Sequence, residues 1–274
     1  MSIDLPPDFA QWLALREPAD VAARSIELVD TLRATLPGHG PLVVHDLGAG
    51  TGSLGRWLAP LLPGAQHWIL HDQDPDLLAR AYAGMPATAA DGAPVTVETR
   101  PGDLTRLTAA ELTDAALVTA SALLDMLTVE ELDRLVAAGA EAGCPALFLI
   151  SVTGTVRLTP ADPLDDEVAA AFNGHQRRTV GGRRLLGPDA VDACVAAFAR
   201  HGVDVELRPS PWRLGPEQAT LTAEWFTGWL DAAREQRPDL TARTGEYARR
   251  RLAEAESGRL GVLVGHVDLL ALRR

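Results

Sequence analysis

Glycines are concentrated in one short segment, PLVVHDLGAGTGSLGRWL, which covers residues 41–58 and begins with an apolar run. Two sequence patterns overlap in it. The letters GTGSLG fit G-x-G-x-x-G, the loop whose backbone cradles the pyrophosphate of a dinucleotide. The letters DLGAGTG fit D-x-G-x-G-x-G, which is typical of a loop that holds a methyl donor. The segment is therefore compatible with hydride transfer and with methyl transfer.

The position of Asp46 separates these two alternatives. In a dinucleotide fingerprint the strand runs directly into the first glycine, but counting from Gly50 puts Asp46 and Gly48 where apolar strand residues belong. Counting from Gly48 ends the strand at Asp46. A carboxylate there suits the ammonium of a methionyl group, whereas a pyrophosphate favours backbone N–H groups and no nearby anion. This register favours a methyl donor, and we expect Asp46, Gly48, Ala49, Gly50 and Gly52 to contact it.

Polar residues at the ends of the next apolar runs complete a candidate cofactor site. Asp72 ends the run QHWILHD, where an acid can accept hydrogen bonds from both ribose hydroxyls, although its spacing suits NAD equally well. Gln73 is expected to lie over the adenine. Asp103 and Leu104 follow the third run, and Asp103 is placed to accept from an adenine amino group. Ser121 ends the fourth run and is the last cofactor candidate.

The predicted secondary structure brings these residues to one edge of the fold. Between residues 41 and 152, apolar runs of strand length alternate with amphipathic segments of helix length. This alternation predicts a parallel sheet with helices on both faces. Ligands of such sheets bind beyond the carboxyl ends of the strands, where the strand order reverses. We therefore expect one cofactor site at that edge.

Four stretches resemble the motifs of the class I S-adenosylmethionine (SAM)-dependent methyltransferases. VVHDLGAGTGSLG resembles the first motif of that family, ILHDQDPDLL its ribose motif, RPGDL its adenine motif and ALVTASALLDML the motif after strand four. They occur in the family's order across residues 42–127. The resemblance implies SAM as cofactor and an α/β, Rossmann-like doubly wound sheet of seven strands, the last antiparallel. One departure is that residues 211–260 separate the sixth and seventh strands, where the family usually has a short link.

The N-terminal segment and two insertions complete the predicted domain organisation. We expect an N-terminal helical cap at 1–37 and a methyltransferase domain at 38–274. Within that domain we predict a lid insertion at 154–187 and a helical insertion at 214–258. The cap is amphipathic over residues 7–35, and Pro18 is expected to break its helix in two.

Three charged residues of the cap follow one another at intervals of four. Arg16, Asp20 and Arg24 are spaced for i,i+4 ion pairs on a helix surface, which stabilise a helix only slightly. We assign them no role in the cofactor site.

The segment 154–187 supplies three candidates for acceptor chemistry. It holds two prolines, a Gly-Gly pair and an arginine-rich half, and is therefore not expected to form a core strand. Loops of this length in a compact domain are usually functional. His175 is a candidate catalytic base because its ordinary pKa lies near neutrality. Arg177 and Arg178 are candidates for binding a carboxylate or phosphate of the substrate, and a solvated basic loop is the alternative.

Two further candidates lie outside that segment. Asp125 follows the fourth strand, where an acceptor is expected, and is a candidate base or substrate anchor; the alternative is an ordinary acid at a helix start. Trp225 is a candidate wall of the substrate site, or else part of a core stripe with Trp229. No cluster of His, Cys and acidic residues predicts a metal site.

Composition and charge count against several classes of function. The chain has 274 residues and a formal net charge of −12, and all 25 of its basic residues are arginine. Nucleic acid is therefore not expected as a partner. No apolar run reaches transmembrane length and no signal peptide is evident, so no membrane partner is expected. The two cysteines indicate a reducing compartment, and the cytoplasm is the expected location.

The sequence thus predicts a SAM-dependent methyltransferase that acts on a hydroxyl or amine of a small-molecule acceptor. The alternatives are an RNA methyltransferase, a non-catalytic SAM-binding protein and an NAD-dependent oxidoreductase. The acceptor, the methylated atom and the oligomeric state do not follow from the sequence.

Overall fold

The computed structural model of the protein describes residues 9–36 and 40–273. In chain order its strands are β1 (Leu42–Leu47), β2 (Gln66–Asp72), β3 (Val95–Pro101), β4 (Leu117–Ser121), β5 (Ala146–Thr159), β6 (Thr179–Val180), β7 (Arg183–Arg184), β8 (Asp204–Pro209), β9 (Trp212–Leu214) and β10 (Gly261–Leu272). Its helices are α1 (Phe9–Ala23), α2 (Ile26–Arg33), α3 (Ser53–Leu58), α4 (Pro75–Gly84), α5 (Val129–Ala142), α6 (Asp165–Gln176), α7 (Ala190–Arg200), α8 (Ala219–Gln236), α9 (Leu240–Arg243) and α10 (Gly245–Glu256).

The main sheet has the strand order β3–β2–β1–β4–β5–β10–β8. The first five strands are parallel, and β10 is antiparallel to both of its neighbours. The short strand β9 pairs with the opposite end of β10. Strand order reverses between β1 and β4, which is where such a sheet opens a crevice for ligands. The predicted doubly wound α/β sheet with an antiparallel last strand is confirmed.

Helices cover both faces of this sheet because the buried strands carry apolar side chains on both sides. On one face, Leu132 of α5 and Phe198 of α7 pack in a core cluster with Phe148 of β5. On the other face, a second cluster includes Leu28 of α2 and Leu58 of α3. Burying large apolar side chains on both faces is what holds the helices against the sheet.

Local signals set the ends of several elements. Helix α5 begins with a capping box, in which the side chains of Thr128 and Glu131 each accept a hydrogen bond from the other's backbone N–H. It ends at Gly143, whose φ of +73° is readily adopted by glycine. The N-cap of α4 is Asp74, followed by Pro75 at the first helical position.

The structure corrects the expected break at Pro18. Pro18 lies inside α1, which continues to Ala23, and the chain turns instead at Arg24 and Ser25. Ser25 caps α2, and its own backbone N–H donates a 2.7 Å hydrogen bond to Asp268 of β10. Tertiary packing of α1 outweighs the hydrogen bond lost at the proline. The cap boundary predicted at residue 37 lies outside the described residues.

The bounds of both insertions differ from those predicted. Strand β5 runs on to Thr159 and pairs with β10, so residues 154–159 belong to the sheet and the excursion from it begins at Pro160. The segment predicted to form a helical insertion at 214–258 begins with the last residue of β9. It then forms α8, a single turn at α9, and α10.

The two insertions pack together as one helical unit over the extended ends of β5 and β10. Helices α6, α8 and α10 share a core cluster that includes Val168, Phe226 and Tyr247. Arg251 of α10, which is 1% exposed, forms a 2.7 Å ion pair with Asp165 of α6. Segments predicted as separate insertions therefore meet through buried contacts.

Asp268 of β10 joins distant parts of the chain. This buried carboxylate accepts hydrogen bonds from the Ser25 N–H at 2.7 Å, from the Ile150 N–H at 2.7 Å and from the Ser210 hydroxyl at 2.6 Å. It therefore connects the start of α2, strand β5 and the segment after β8. Among the described residues, no helix is both long and apolar enough to cross a membrane.

Candidate active site

A cavity of about 580 Å³ opens at the carboxyl ends of β1, β2 and β4. Its walls come from the glycine loop after β1, the turns after β2 and β3, the turn after β4, and one side of α1. The volume falls in the range of small-molecule sites, roughly 300–1,000 Å³. Every cofactor residue predicted from the sequence lines this cavity except Gly52.

The glycine loop depends on backbone conformations that other residues rarely adopt. Gly48, Gly50 and Gly52 have φ values of +63°, +54° and +84°. A Cβ at Gly52 would lie 3.0 Å from the Cα of Ala81 in α4, so the loop approaches that helix too closely for a side chain. All three glycines therefore allow the turn, and Gly52 also allows the close contact with α4.

Asp72 holds the glycine loop in place from the neighbouring strand. Its Oδ2 accepts a 2.9 Å hydrogen bond from the Gly50 N–H, and its Oδ1 accepts a 3.0 Å bond from the Asp74 N–H. Burial raises the pKa of Asp72, and these two backbone donors oppose that shift. Each carboxylate oxygen keeps a further lone pair that can accept from a ligand hydroxyl.

Asp46 presents a buried carboxylate at the end of β1. The Thr119 hydroxyl donates a 2.8 Å hydrogen bond to its Oδ1, whereas its Oδ2 is buried and has no hydrogen-bond partner among the described residues. Burial raises the pKa of Asp46 to about 7, against the opposing effects of Thr119 and Arg24. A buried oxygen without a donor is costly on its own, and an ammonium group would satisfy it.

Arg24 brings a buried guanidinium to the same end of the cavity. It donates to the Ser53 carbonyl and hydroxyl, both at 3.2 Å, and to the Ser121 hydroxyl at 3.3 Å. Its Nε has no partner among the described residues. Burial lowers the pKa of Arg24, and the charges of Asp20 and Asp46 oppose that shift. Local sequence patterns do not reveal a site role for Arg24, because its contacts are with residues far away in the chain.

The other end of the cavity is built by the turns after β2 and β3. Asp72 and Gln73 line it together with Asp103 and Leu104, as the sequence predicts for ribose and adenine. Asp103 accepts hydrogen bonds from the backbone N–H of Thr105 at 3.1 Å and from its hydroxyl at 2.6 Å. These contacts lower the pKa of Asp103 and keep it a carboxylate.

Asp125 also lines the cavity, in the turn Leu124–Met126 that follows β4. Burial raises its pKa to about 6, although its own backbone N–H and the charges of Arg16 and Arg178 act in the opposite direction. In the part of the chain that the structure describes, the Asp125 side chain has no ion pair and no hydrogen bond to another residue. The structure thus places one predicted catalytic candidate at the cavity.

The other acceptor candidates lie away from the cavity walls. His175 Nε2 is 3.2 Å from a carboxylate oxygen of Glu235 in α8, because α6 packs against α8 and turns His175 toward it. Arg178 donates a 3.2 Å hydrogen bond to the carbonyl of His175. Trp225 is buried in the core of the helical unit, where its ring stacks on that of Trp229 at 5.3 Å.

Arg177 is likewise engaged elsewhere, in a 2.6 Å ion pair with Asp189. From the segment predicted as a lid, the residue that lines the cavity is Arg183 in the β6–β7 hairpin. It forms hydrogen bonds of 2.7 and 2.6 Å with Glu131 and one of 3.1 Å with the carbonyl of Met126. The hairpin, and not α6, is therefore the part of the segment that reaches the site.

Known proteins similar to this chain are found among solved structures. The sequence matches no family model and no curated protein. A solved structure of a cyclopropane-fatty-acyl-phospholipid synthase-like protein from Lactobacillus casei is similar, with a TM-score of 0.53 and 15% identity over 97% of this chain and 95% of that chain. A SAM-dependent methyltransferase from Geobacter sulfurreducens, solved with S-adenosyl-L-homocysteine, has a TM-score of 0.46 and 18% identity over 100% of both chains.

The strand order and the antiparallel position of β10 decide the fold. This chain has the class I methyltransferase fold. In the methyltransferase fold the glycine loop and the acids after β2 and β3 lie at one edge of the sheet, as they do here. At these identities the similarity concerns the fold, and the chemistry of the site has to be argued from its residues.

Proposed function

We propose that the protein is a SAM-dependent methyltransferase that acts on a hydroxyl or amine of a small-molecule acceptor. The observation that carries this proposal is the pair of buried opposite charges at one end of the cavity. Asp46 has a carboxylate oxygen without a donor, and Arg24 has a guanidinium whose Nε is unpartnered. Methionine carries both an ammonium and a carboxylate, so it complements this pair.

The other end of the cavity supports the adenosine half of the same ligand. Asp72 has lone pairs available for the two ribose hydroxyls, and Gln73 and Leu104 line the space beyond it. Asp103 remains a carboxylate and can accept from an adenine amino group. One cavity thus offers complementary groups to both halves of SAM.

The residues of this chain contribute mainly position and shelter. SAM supplies a methyl carbon to which an acceptor lone pair bonds while the electrons of the carbon–sulfur bond return to sulfur. Holding an acceptor close to that carbon and excluding water accounts for a large share of such catalysis. Leu13 of α1 and Leu123 form apolar parts of the wall, and Asp125 is available as a base.

The rival activities fit the cavity less well. A dinucleotide pyrophosphate would meet the carboxylate of Asp46 at the glycine loop, where it favours N–H donors and no anion. An RNA substrate would meet a cavity lined by six acidic residues and four arginines, in a chain with a net charge of −12.

Calorimetry with purified protein tests the proposal. We expect binding of SAM and S-adenosyl-L-homocysteine (SAH), and no binding of NAD or NADP. Asp72→Ala should lower SAH affinity by about ten- to hundredfold, because charge-assisted hydrogen bonds contribute about 1.5–3 kcal/mol. Asp114→Ala, which removes an exposed acid outside the cavity, is the matched control. Tight NAD binding without SAH binding would contradict the proposal.

A further inference from the structure

Six of the ten charged residues on the cavity wall form ion pairs with one another. Arg16 pairs with Asp20 at 3.0 Å, and Arg183 pairs with Glu131 at 2.6 Å. A third ion pair, at 3.5 Å, joins Arg106 to Asp103. These three pairs are electrically neutral and leave four charged residues on the cavity wall.

Three of those four are used by the cofactor in the proposed function. Asp46 and Arg24 face the methionyl group, and Asp72 faces the ribose. The remaining one is Asp125, which has no ion pair and no hydrogen bond to another residue in the described parts of the chain. A half-buried carboxylate without a partner is unfavourable in the protein alone, and it is therefore a candidate for contact with a second ligand.

The total charge of the cavity indicates the sign of that ligand. Six acids and four arginines give the walls a net charge of −2. SAM carries one net positive charge, because its sulfonium and ammonium outweigh its carboxylate. One negative charge therefore remains after the cofactor is bound, and the residue without a partner is Asp125.

Apolar residues lie next to Asp125 in the sequence, and apolar side chains line the same cavity. Leu124 and Met126 flank Asp125 in the turn after β4, and Leu123 lines the cavity together with Phe9 and Leu13 of α1. A phosphate or carboxylate on the acceptor would meet an unpaired anion there. An ammonium on an apolar body would satisfy both the charge and the walls.

We propose that the methyl acceptor is an amine on a largely apolar body, bound through its ammonium group by Asp125. This inference rests on the proposed function and selects the amine from the two acceptor types considered there. The ammonium has no lone pair until it loses a proton. Asp125 accepts that proton: an N–H bond breaks, its electron pair stays on nitrogen, and an O–H bond forms on the carboxylate.

Calorimetry on the SAH-saturated protein tests the inference with three probes of matched shape: 2-phenylethylamine, 2-phenylethanol and 3-phenylpropanoate. At about pH 7.5 we expect the amine to bind at least about tenfold more tightly than the alcohol or the carboxylate, the effect of one charge-assisted hydrogen bond. Asp125→Asn keeps the shape and removes the charge of this residue, so it should lower this preference by about tenfold. Glu130→Gln, an exposed acid nearby and outside the cavity, should retain it.

The outcomes separate this inference from the proposed function. If the wild-type protein does not bind SAH, the proposed function fails. If SAH binds normally but the three probes bind alike, or none of them binds, the amine inference is overturned and the proposed function stands. The same conclusion follows if Asp125→Asn keeps the preference for the amine while binding SAH as tightly as the wild type.

Discussion

The hydroxyl of Thr119 donates a 2.8 Å hydrogen bond to one carboxylate oxygen of Asp46 and leaves the other oxygen without a partner among the described residues. The two residues lie opposite each other on β4 and β1, the strands between which the sheet order reverses. A neighbouring strand thus fixes one half of the carboxylate. Asp46 lines the cavity, and its Oδ2 is the oxygen that lacks a donor.

The protonation of Asp46 should make cofactor binding depend on pH. Burial raises the pKa of Asp46 to about 7, so lowering the pH protonates it and removes the charge that an ammonium requires. We expect SAH affinity to fall by about tenfold between about pH 7.5 and pH 6. Calorimetry at both pH values, repeated with Asp46→Asn, measures this. The variant should bind weakly with a flatter pH profile, and a flat profile in the wild type would refute the assignment.

The same shift in pKa affects the stability of the protein without ligand. An unfolded chain releases the Asp46 proton near pH 4, whereas the folded protein holds it up to about pH 7. This residue's contribution to the free energy of unfolding should therefore decrease as the pH rises through that window. Urea unfolding should show Asp46→Asn gaining stability relative to wild type from about pH 4 to pH 7. A constant difference across the window would count against it.

Arg24 should recognise the methionyl carboxylate and nothing on the adenosine half. Arg24→Met should lower SAH affinity by about ten- to hundredfold, because it removes a charge-assisted contact. It should leave the affinity for 5′-methylthioadenosine nearly unchanged, since that compound lacks the carboxylate. Arg33→Met, on the exposed part of α2, is the control. Equal losses for both ligands would indicate that Arg24 only maintains the shape of the site.

Gly52 and Gly64 allow the effect of crowding to be separated from that of backbone conformation. Both have a φ of +84°, but a Cβ at Gly64 meets nothing within 4 Å, whereas at Gly52 it would lie 3.0 Å from Ala81. Gly64→Ala should cost about 1–2 kcal/mol of unfolding free energy. Gly52→Ala should cost more and should also weaken SAH binding. Urea unfolding and calorimetry test both, and identical behaviour of the two variants would contradict the proposed contact with α4.

The ion pair between Arg251 and Asp165 should be essential for the helical unit. Arg251 is almost completely buried and contacts both oxygens of Asp165, at 2.8 and 2.7 Å. Arg251→Met removes the ion-pair partner of Asp165 and should lower the free energy of unfolding by about 3–5 kcal/mol. Arg249→Met, exposed on the same helix, should change it little. Urea unfolding measures both, and equal midpoints would show that the pair is not needed.

Local signals in the sequence predicted much of the fold and the cofactor side of the site. The bounds of β2 match the apolar run QHWILHD, which ends at Asp72. In the structure, a capping acid and a proline then start α4. The glycine loop and the acids after β2 and β3 follow from the same short-range patterns. Parallel strands then bring them to one edge of the sheet.

Features that depend on distant contacts could not be predicted in this way. The local sequence pattern predicts only that Arg24 lies on a helix surface. Its role in the site arises from contacts with Ser53 and Ser121, which are 29 and 97 residues away. His175 was singled out for its chemistry, but the packing of α6 on α8 directs it to Glu235. No local rule predicts which helix such a segment will pack against.

The hydrogen bonds to Asp268 have a consequence for how the protein acquires its binding site during synthesis. Ser25 directly follows Arg24, and its backbone N–H donates a hydrogen bond to Asp268 of β10. That residue leaves the ribosome 243 positions after Ser25. A nascent chain without β10 lacks the anchor for the turn between α1 and α2. We therefore expect the proposed cofactor site to form only after β10 has been synthesised, so that chains truncated before β10 should not bind the cofactor.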